Sequence, residues 1–300
     1  MPLLQEVAEL LSDNDVSRGI IEEIIYRDEM FNLMPFTPIT GKALVYDRED
    51  GEAVGADWLS PNDTFNEGGA SFKEVVAKLR ILGGDVDVDK FLDGTMSDRM
   101  SQKAVQIAAK LKQVRKQFQV QVATGDADKN PKAFDGLPKL VSPDLTIAAG
   151  GTSLTLSMLD ELRDAVALGA DAFIMRSGTW RSIKQLLRMT NGNTADLLMV
   201  GNFGMPVPAF DGMRVIVNDF LAKDEVAGGS QATCSIYAVR FNEVDGIHGI
   251  YAAGSPAGIQ IEDIGTVQNK DATRTRVKWY AGMAQRSTRS AARLSGITNI

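Results

Sequence analysis

Apolar residues recur every three or four positions over residues 3–11 and 16–27, the spacing of one face of an α-helix, and predict two short helices in an N-terminal arm. Asp13, Asn14 and Asp15 between them supply turn and N-cap chemistry. From residue 35 to about 89 the period falls to two. The runs KALVYDRE and FKEVVAKLRILGGDVDVD read as strands, and the polar, glycine-rich stretch 51–69 separates them. Together they predict an extended hairpin. A lone two-stranded ribbon buries too little to be stable in water, so this one needs a partner surface. Thr95 and Asp98 form a capping box ahead of the longest helical pattern, 96–122, which Gly125 closes. Met100, Ala104, Ile107, Leu111, Val114, Phe118 and Val122 fall on one stripe of that helix.

After a turn-rich linker the chain alternates between the two periods. LTIAA is a strand, TLSMLDELRDAVAL a helix closed by Gly169, DAFIM a buried strand, WRSIKQLLRM a helix and MRVIVND a strand. From Thr233 onward it is strand-rich, through CSIYAVRF, HGIYAA, GIQIEDIG and TRTRVKWYAGMAQRS. The sum is a mixed α+β protein without internal repeats.

Composition adds bounds. With 300 residues, 44% of them hydrophobic, the chain can bury a substantial core. Its net charge of −7 argues against a dedicated nucleic-acid reader, whose surface is usually basic. The charge is nevertheless segregated: 96–122 carries an excess of five positive charges and 270–300 an excess of six. Lys103, Lys110, Lys112, Arg115 and Lys116 belong to the first of these. Cys234 is the only cysteine, which excludes an intrachain disulfide and a thiolate zinc cluster. No stretch has the length and apolarity of a membrane-spanning helix, and the start lacks the pattern of a secretory leader, so no membrane partner is expected.

The search for chemistry returns little. His248 is the single histidine, so a triad or histidine-based metal site lacks its partners, and no GxSxG elbow is present. Asp85, Asp87 and Asp89 alternate as in a calcium loop, but Lys90 and Met96 occupy the positions that need glycine and glutamate. As strand residues they share one face and call for basic neighbours. Asp126, Asp128 and Asn130 fail the same test and read as a turn. The string AAGGTS, 148–153, has neither the GxGxxG nor the lysine of a phosphate loop. Asp160 and Glu161 are placed in the first turn of a helix, where they complement its dipole. No catalytic residue, metal site or cofactor is expected, and the chain reads as a non-enzyme. A soluble hydrolase built on the acidic clusters is the remote alternative.

The order of parts resembles the major capsid proteins of tailed bacteriophages, the Hong Kong 97 fold shared with encapsulin compartments. The strings that carry the resemblance are RGIIEEIIYRDEMFNLMPF, RILGGDVDVDKF, NPKAFDGL, GADAFIMRSGTWRSIKQLLR and RTRVKWYAGMAQRSTRSAARLSGI. The resemblance covers essentially the whole chain. It implies an N-terminal arm at 1–37, an extended loop (E-loop) at 38–84, a peripheral domain at 85–144 with a spine helix at 96–122, an axial domain at 145–244, and a return to the peripheral domain at 245–300. It further implies pentamers and hexamers in an icosahedral shell around double-stranded DNA, assembled in the host cytoplasm as part of a virion. Portal, scaffolding and decoration proteins are the implied partners, with an encapsulin-like compartment as the alternative. On that reading Ile20, Ile24, Ile25, Phe31, Trp58, Phe65 and Phe72 make intersubunit contacts, and Lys103, Lys110, Lys112, Arg115 and Lys116 of the spine helix face the DNA. Lys42, Lys73 and Lys78 are the lysines placed for crosslinking, but no motif marks a reactive pair.

Overall fold

The computed structural model describes residues 29–49, 55, 57–61, 63–65, 67–91, 102–189, 198–200, 206–225, 232–254 and 258–299. In chain order the elements are α1 (Glu29–Leu33), β1 (Phe36–Ile39), β2 (Ala43–Glu49), β3 (Phe72–Lys78), β4 (Arg80–Asp89), α2 (Gln102–Thr124), α3 (Leu137–Leu140), β5 (Thr146–Thr152), α4 (Leu156–Asp164), β6 (Ala172–Met175), α5 (Ser177–Met189), β7 (Leu198–Val200), β8 (Pro206–Phe210), β9 (Met213–Val217), β10 (Cys234–Val239), β11 (Ile247–Ala252), β12 (Ile259–Thr266), β13 (Ala272–Gln285) and β14 (Ala291–Ile297). The mixture is α+β. The arm helices expected before residue 28, and the capping box at Thr95 and Asp98, lie outside the described residues.

Two sheets organise the chain. In the five-stranded sheet the 14-residue β13 is the spine: β11 and β12 share one side of it, β4 pairs along the other, and β1 adds in parallel to β11. The seven-stranded sheet runs β5-β14-β10-β6-β9-β8-β7. The ribbon β2–β3 stands apart as its own two-stranded sheet, in register from Ala43 opposite Lys78 to Glu49 opposite Phe72.

The amphipathic stripe of α2 explains how these parts join. Ile107, Leu111, Val114, Phe118 and Val122 are buried, and they belong to one core with Val277, Trp279, Ala281 and Met283 of β13. The same core reaches Ala172, Ile174, Ile216, Tyr237 and Val239, one face of the seven-stranded sheet. Its centre is aromatic. The Phe118 and Trp279 rings lie 4.7 Å apart, and Phe31, Phe36 and Phe134 each come within 5.3 to 6.0 Å of Phe118. Phe36 also dictates glycine at 249, because a Cβ there would lie 2.3 Å from its ring. The opposite face of the seven-stranded sheet packs under α4 and α5 through Leu159, Leu162, Trp180 and Ile183.

Two boundaries differ from the sequence reading. The ribbon occupies 43–78, not 38–84, because Phe36–Ile39 pairs with β11 and Arg80–Asp89 with β13. The chain end does not stay with β13: β14 crosses to the seven-stranded sheet and inserts between β5 and β10. Its alternate residues Ala292 and Leu294 there fill the core under α4 and α5.

Candidate assembly surface

The ribbon packs on the body at its root. Ala77 packs with Ile39, Ile250 and Ala284, with Leu44, Tyr46 and Leu79 against them. The Tyr46 hydroxyl donates to the Gln285 carbonyl at 2.5 Å, and the Arg286 guanidinium lies 4.8 Å from the Tyr46 ring centroid. Strand alternation puts Leu44, Tyr46, Val75 and Ala77 on this inward face. The outward face holds Val45 and Val76, directly opposite each other and 55% and 43% exposed. The sequence reading missed this pair, although the alternation in ALVYDRE already puts Val45 opposite in facing to Leu44 and Tyr46.

Beyond the root the apolar exposure grows. Trp58 is fully exposed, Phe65 is 82% exposed and Phe72 68%. Large apolar side chains grouped on one excursion and left exposed mark a contact surface. Phe31, expected at an intersubunit contact, behaves differently. It is buried within its own chain, stacked at 5.9 Å on Phe36 and 5.4 Å from Phe118, so it presents no surface to a neighbour. Ile20, Ile24 and Ile25 lie outside the described residues.

The basic helix divides as well. Lys103 is tied to Asp263 of β12 at 2.5 Å, Lys110 leans over Gly84 of β4, and Arg115 is half-buried. Lys112 and Lys116 are exposed, Lys116 with its ammonium 5.7 Å from the Phe220 ring centroid. The acidic alternation of β4 meets arginines across the strand. Arg276 grips Asp85 and Arg274 grips Asp87, each through two hydrogen bonds of 2.6 to 2.9 Å. These bonds hold both carboxyls below the usual range. Both pairs stand directly opposite in register, which is the basic neighbourhood their spacing called for.

The remaining polar residues have local structural partners. Asp126 accepts from the Asp128 amide at 3.0 Å, as in a turn. After AAGGT, the Thr155 hydroxyl caps α4 by accepting from the Met158 amide. Asp160 and Glu161 sit in the middle of α4 instead of its first turn, because the helix starts at Leu156. Burial raises the Cys234 thiol, which meets the Thr179 hydroxyl at 3.4 Å. His248 is fully buried under the ribbon root. Among the described residues no group of three His, Cys, Asp or Glu side chains is gathered as for a metal ion.

A sequence model of the family described as phage capsid protein matches residues 74–294, well over half of the chain. No curated protein matches the sequence. Among solved structures, the SrpI encapsulin complex from Synechococcus elongatus aligns with a TM-score of 0.68 at 17% identity, over 90% of this chain and 87% of that one. The capsid of an empty GTA particle aligns with a TM-score of 0.61 at 13% identity over 89% of both chains. The Microbacterium phage Oxtober96 gives a TM-score of 0.61 at 12% identity, over 89% of this chain and 90% of that one. At such identities the structural likeness speaks for the fold, and the family match speaks for the lineage. A body of two sheets joined by a long helix, an exposed ribbon with too little core of its own, and a family match across most of the sequence lead to one assignment: the chain belongs to the phage capsid protein family and is a shell-forming major capsid protein of the Hong Kong 97 fold.

Proposed function

We propose that copies of this chain assemble as pentamers and hexamers into an icosahedral shell around double-stranded DNA, in the host cytoplasm, as the capsid of a virion. The observation that carries the reading is the ribbon excursion, whose Trp58, Phe65 and Phe72 are exposed. Laid over a neighbouring subunit, each copy would bury this surface, and modest contacts repeated around closed symmetry would add up to a stable shell. In this reading residues 1–37 form the arm and the ribbon is the extended loop. The five-stranded sheet with α2 is the peripheral domain, and the seven-stranded sheet with α4 and α5 is the axial domain. Lys112 and Lys116, the exposed basic residues of α2, would screen packaged DNA without reading its sequence. Portal, scaffolding and decoration proteins would complete the particle.

The likeness to the SrpI encapsulin complex supports a second reading, a shell of the same fold that encloses protein cargo in place of a genome. Electron microscopy of purified particles, with their absorbance ratio at 260 and 280 nm, tests both. Closed shells made in infected cells and rich in nucleic acid are expected. Closed shells free of nucleic acid favour the compartment, and a stable monomer at high concentration overturns the shell reading altogether.

A further inference from the structure

The ribbon's charges are sorted by face in a way that its own fold does not repay. Asp47 stands directly opposite Glu74, and Arg48 directly opposite Lys73. Cross-strand neighbours share a face and successive residues alternate, so Asp47, Glu49 and Glu74 lie on the outward face toward the tip, with Lys78 on that face at the root opposite Ala43, and Arg48 and Lys73 on the inward one. Like charges directly opposite destabilise a strand pair, whereas opposite charges stabilise it. Among the described residues none of these five side chains enters an ion pair. The ladder of β4 and β13 shows the contrary choice in the same chain, with acid facing base at Asp85–Arg276 and Asp87–Arg274.

Charges that merely keep a ribbon in water would not need this sorting. They would also not share a face with the exposed Val45–Val76 pair and with Phe72. Exposed apolar side chains bordered toward the tip by Asp47, Glu49 and Glu74 are the composition of a contact patch. The complementary composition is present on the same chain. In α5, Arg188 is exposed next to Met189, which is 75% exposed, Arg181 is exposed two turns earlier, and no acidic residue lies between Ser177 and Met189.

We propose that the outward face of the ribbon toward its tip, Val45, Asp47, Glu49, Phe72, Glu74 and Val76, seats on a basic surface of a second copy of this chain, and that its three acidic side chains select and orient that contact. The inference rests on the shell reading. The subunit accepts like-charge repulsion within the ribbon, and the assembled contact relieves it. Long-range attraction between unlike surfaces also speeds encounter, so the contact weakens as salt rises.

One composition-neutral exchange separates the two roles of these charges. In the double variant K73E/E74K every residue type is kept, but both like-charge pairs become ion pairs. Unassembled K73E/E74K subunits are expected to melt at or above the wild-type temperature. Their assembly, followed by light scattering and electron microscopy on purified protein, is expected to need at least tenfold more protein. Wild-type assembly is expected to weaken steeply as salt rises, and the exchanged variant to depend on salt much less. If purified wild-type protein forms shells and K73E/E74K forms them at the same concentration and salt dependence, the ribbon inference fails while the shell reading stands. The inference fails as well if the exchange leaves self-assembly intact and removes only the binding of a different virion protein. If the wild type forms no shells, the shell reading fails and takes this inference with it.

Discussion

His248 sits under the ribbon root, where burial, and after it the Arg286 guanidinium, push its pKa down to about 4. The Gly246 backbone acts in the opposite direction and is the smallest of the three influences. The unfolded chain takes up a proton near pH 6.5, while the folded chain stays neutral until about pH 4. Stability therefore holds above pH 6.5 and falls as pH drops from 6.5 to 4, by at most about 3 kcal/mol from this residue. Asp85 and Asp87, held low by their arginines, lose their contribution in the same direction as pH falls. Denaturant titrations of unassembled subunits at pH 7 and pH 4 isolate the histidine when wild type is compared with His248→Gln. The variant is expected to lose less stability on acidification, and equal losses would assign the whole pH dependence to the carboxylates. None of this was legible in the sequence, where His248 merely opens the strand-like run HGIYAA. Its burial comes from β13 beside it and the ribbon root above it, both remote along the chain.

At the scale of elements, local periodicity was enough for α2 because its stripe has a single partner surface, the core shared with β13 and the seven-stranded sheet. Phe31 was read as an arm contact because nothing near it in sequence announces Phe118 or Trp279. The placement of β14 was equally hidden: its partners β5 and β10 are set by pairing across more than fifty residues, which leaves no local trace. The helix itself is the test. Phe118 touches four aromatic rings at the meeting point of both sheets, so Phe118→Ala leaves a cavity that few side chains can fill. A loss of about 3–5 kcal/mol is expected by urea unfolding. Val105→Ala, on the exposed face of the same helix, is expected to change stability by less than about 0.5 kcal/mol. Equal effects would mean that the helix is held by something other than this stripe.

At the scale of the whole molecule, folding and assembly draw on different residues. The body has its own two cores, the ribbon packs on it through Leu44, Tyr46 and Ala77 with Leu79 beside them, and among the described residues none between 55 and 71 belongs to either core. Replacing residues 51–70 by a two-residue Asn-Gly turn keeps β2, β3 and the root, and the shorter loop lowers the entropy of closing the hairpin. The shortened subunit is expected to melt within a few degrees of the wild type. It is also expected to form no regular particles, because Trp58 and Phe65 are gone while every buried residue of the body remains. A lower melting temperature would place the excursion inside the fold instead of between copies. Regular particles from the shortened chain would move the decisive contacts elsewhere, to the arm or to the helices over the seven-stranded sheet. The two measurements are independent, and only stable subunits that no longer assemble agree with a ribbon whose purpose is the next copy of the same chain.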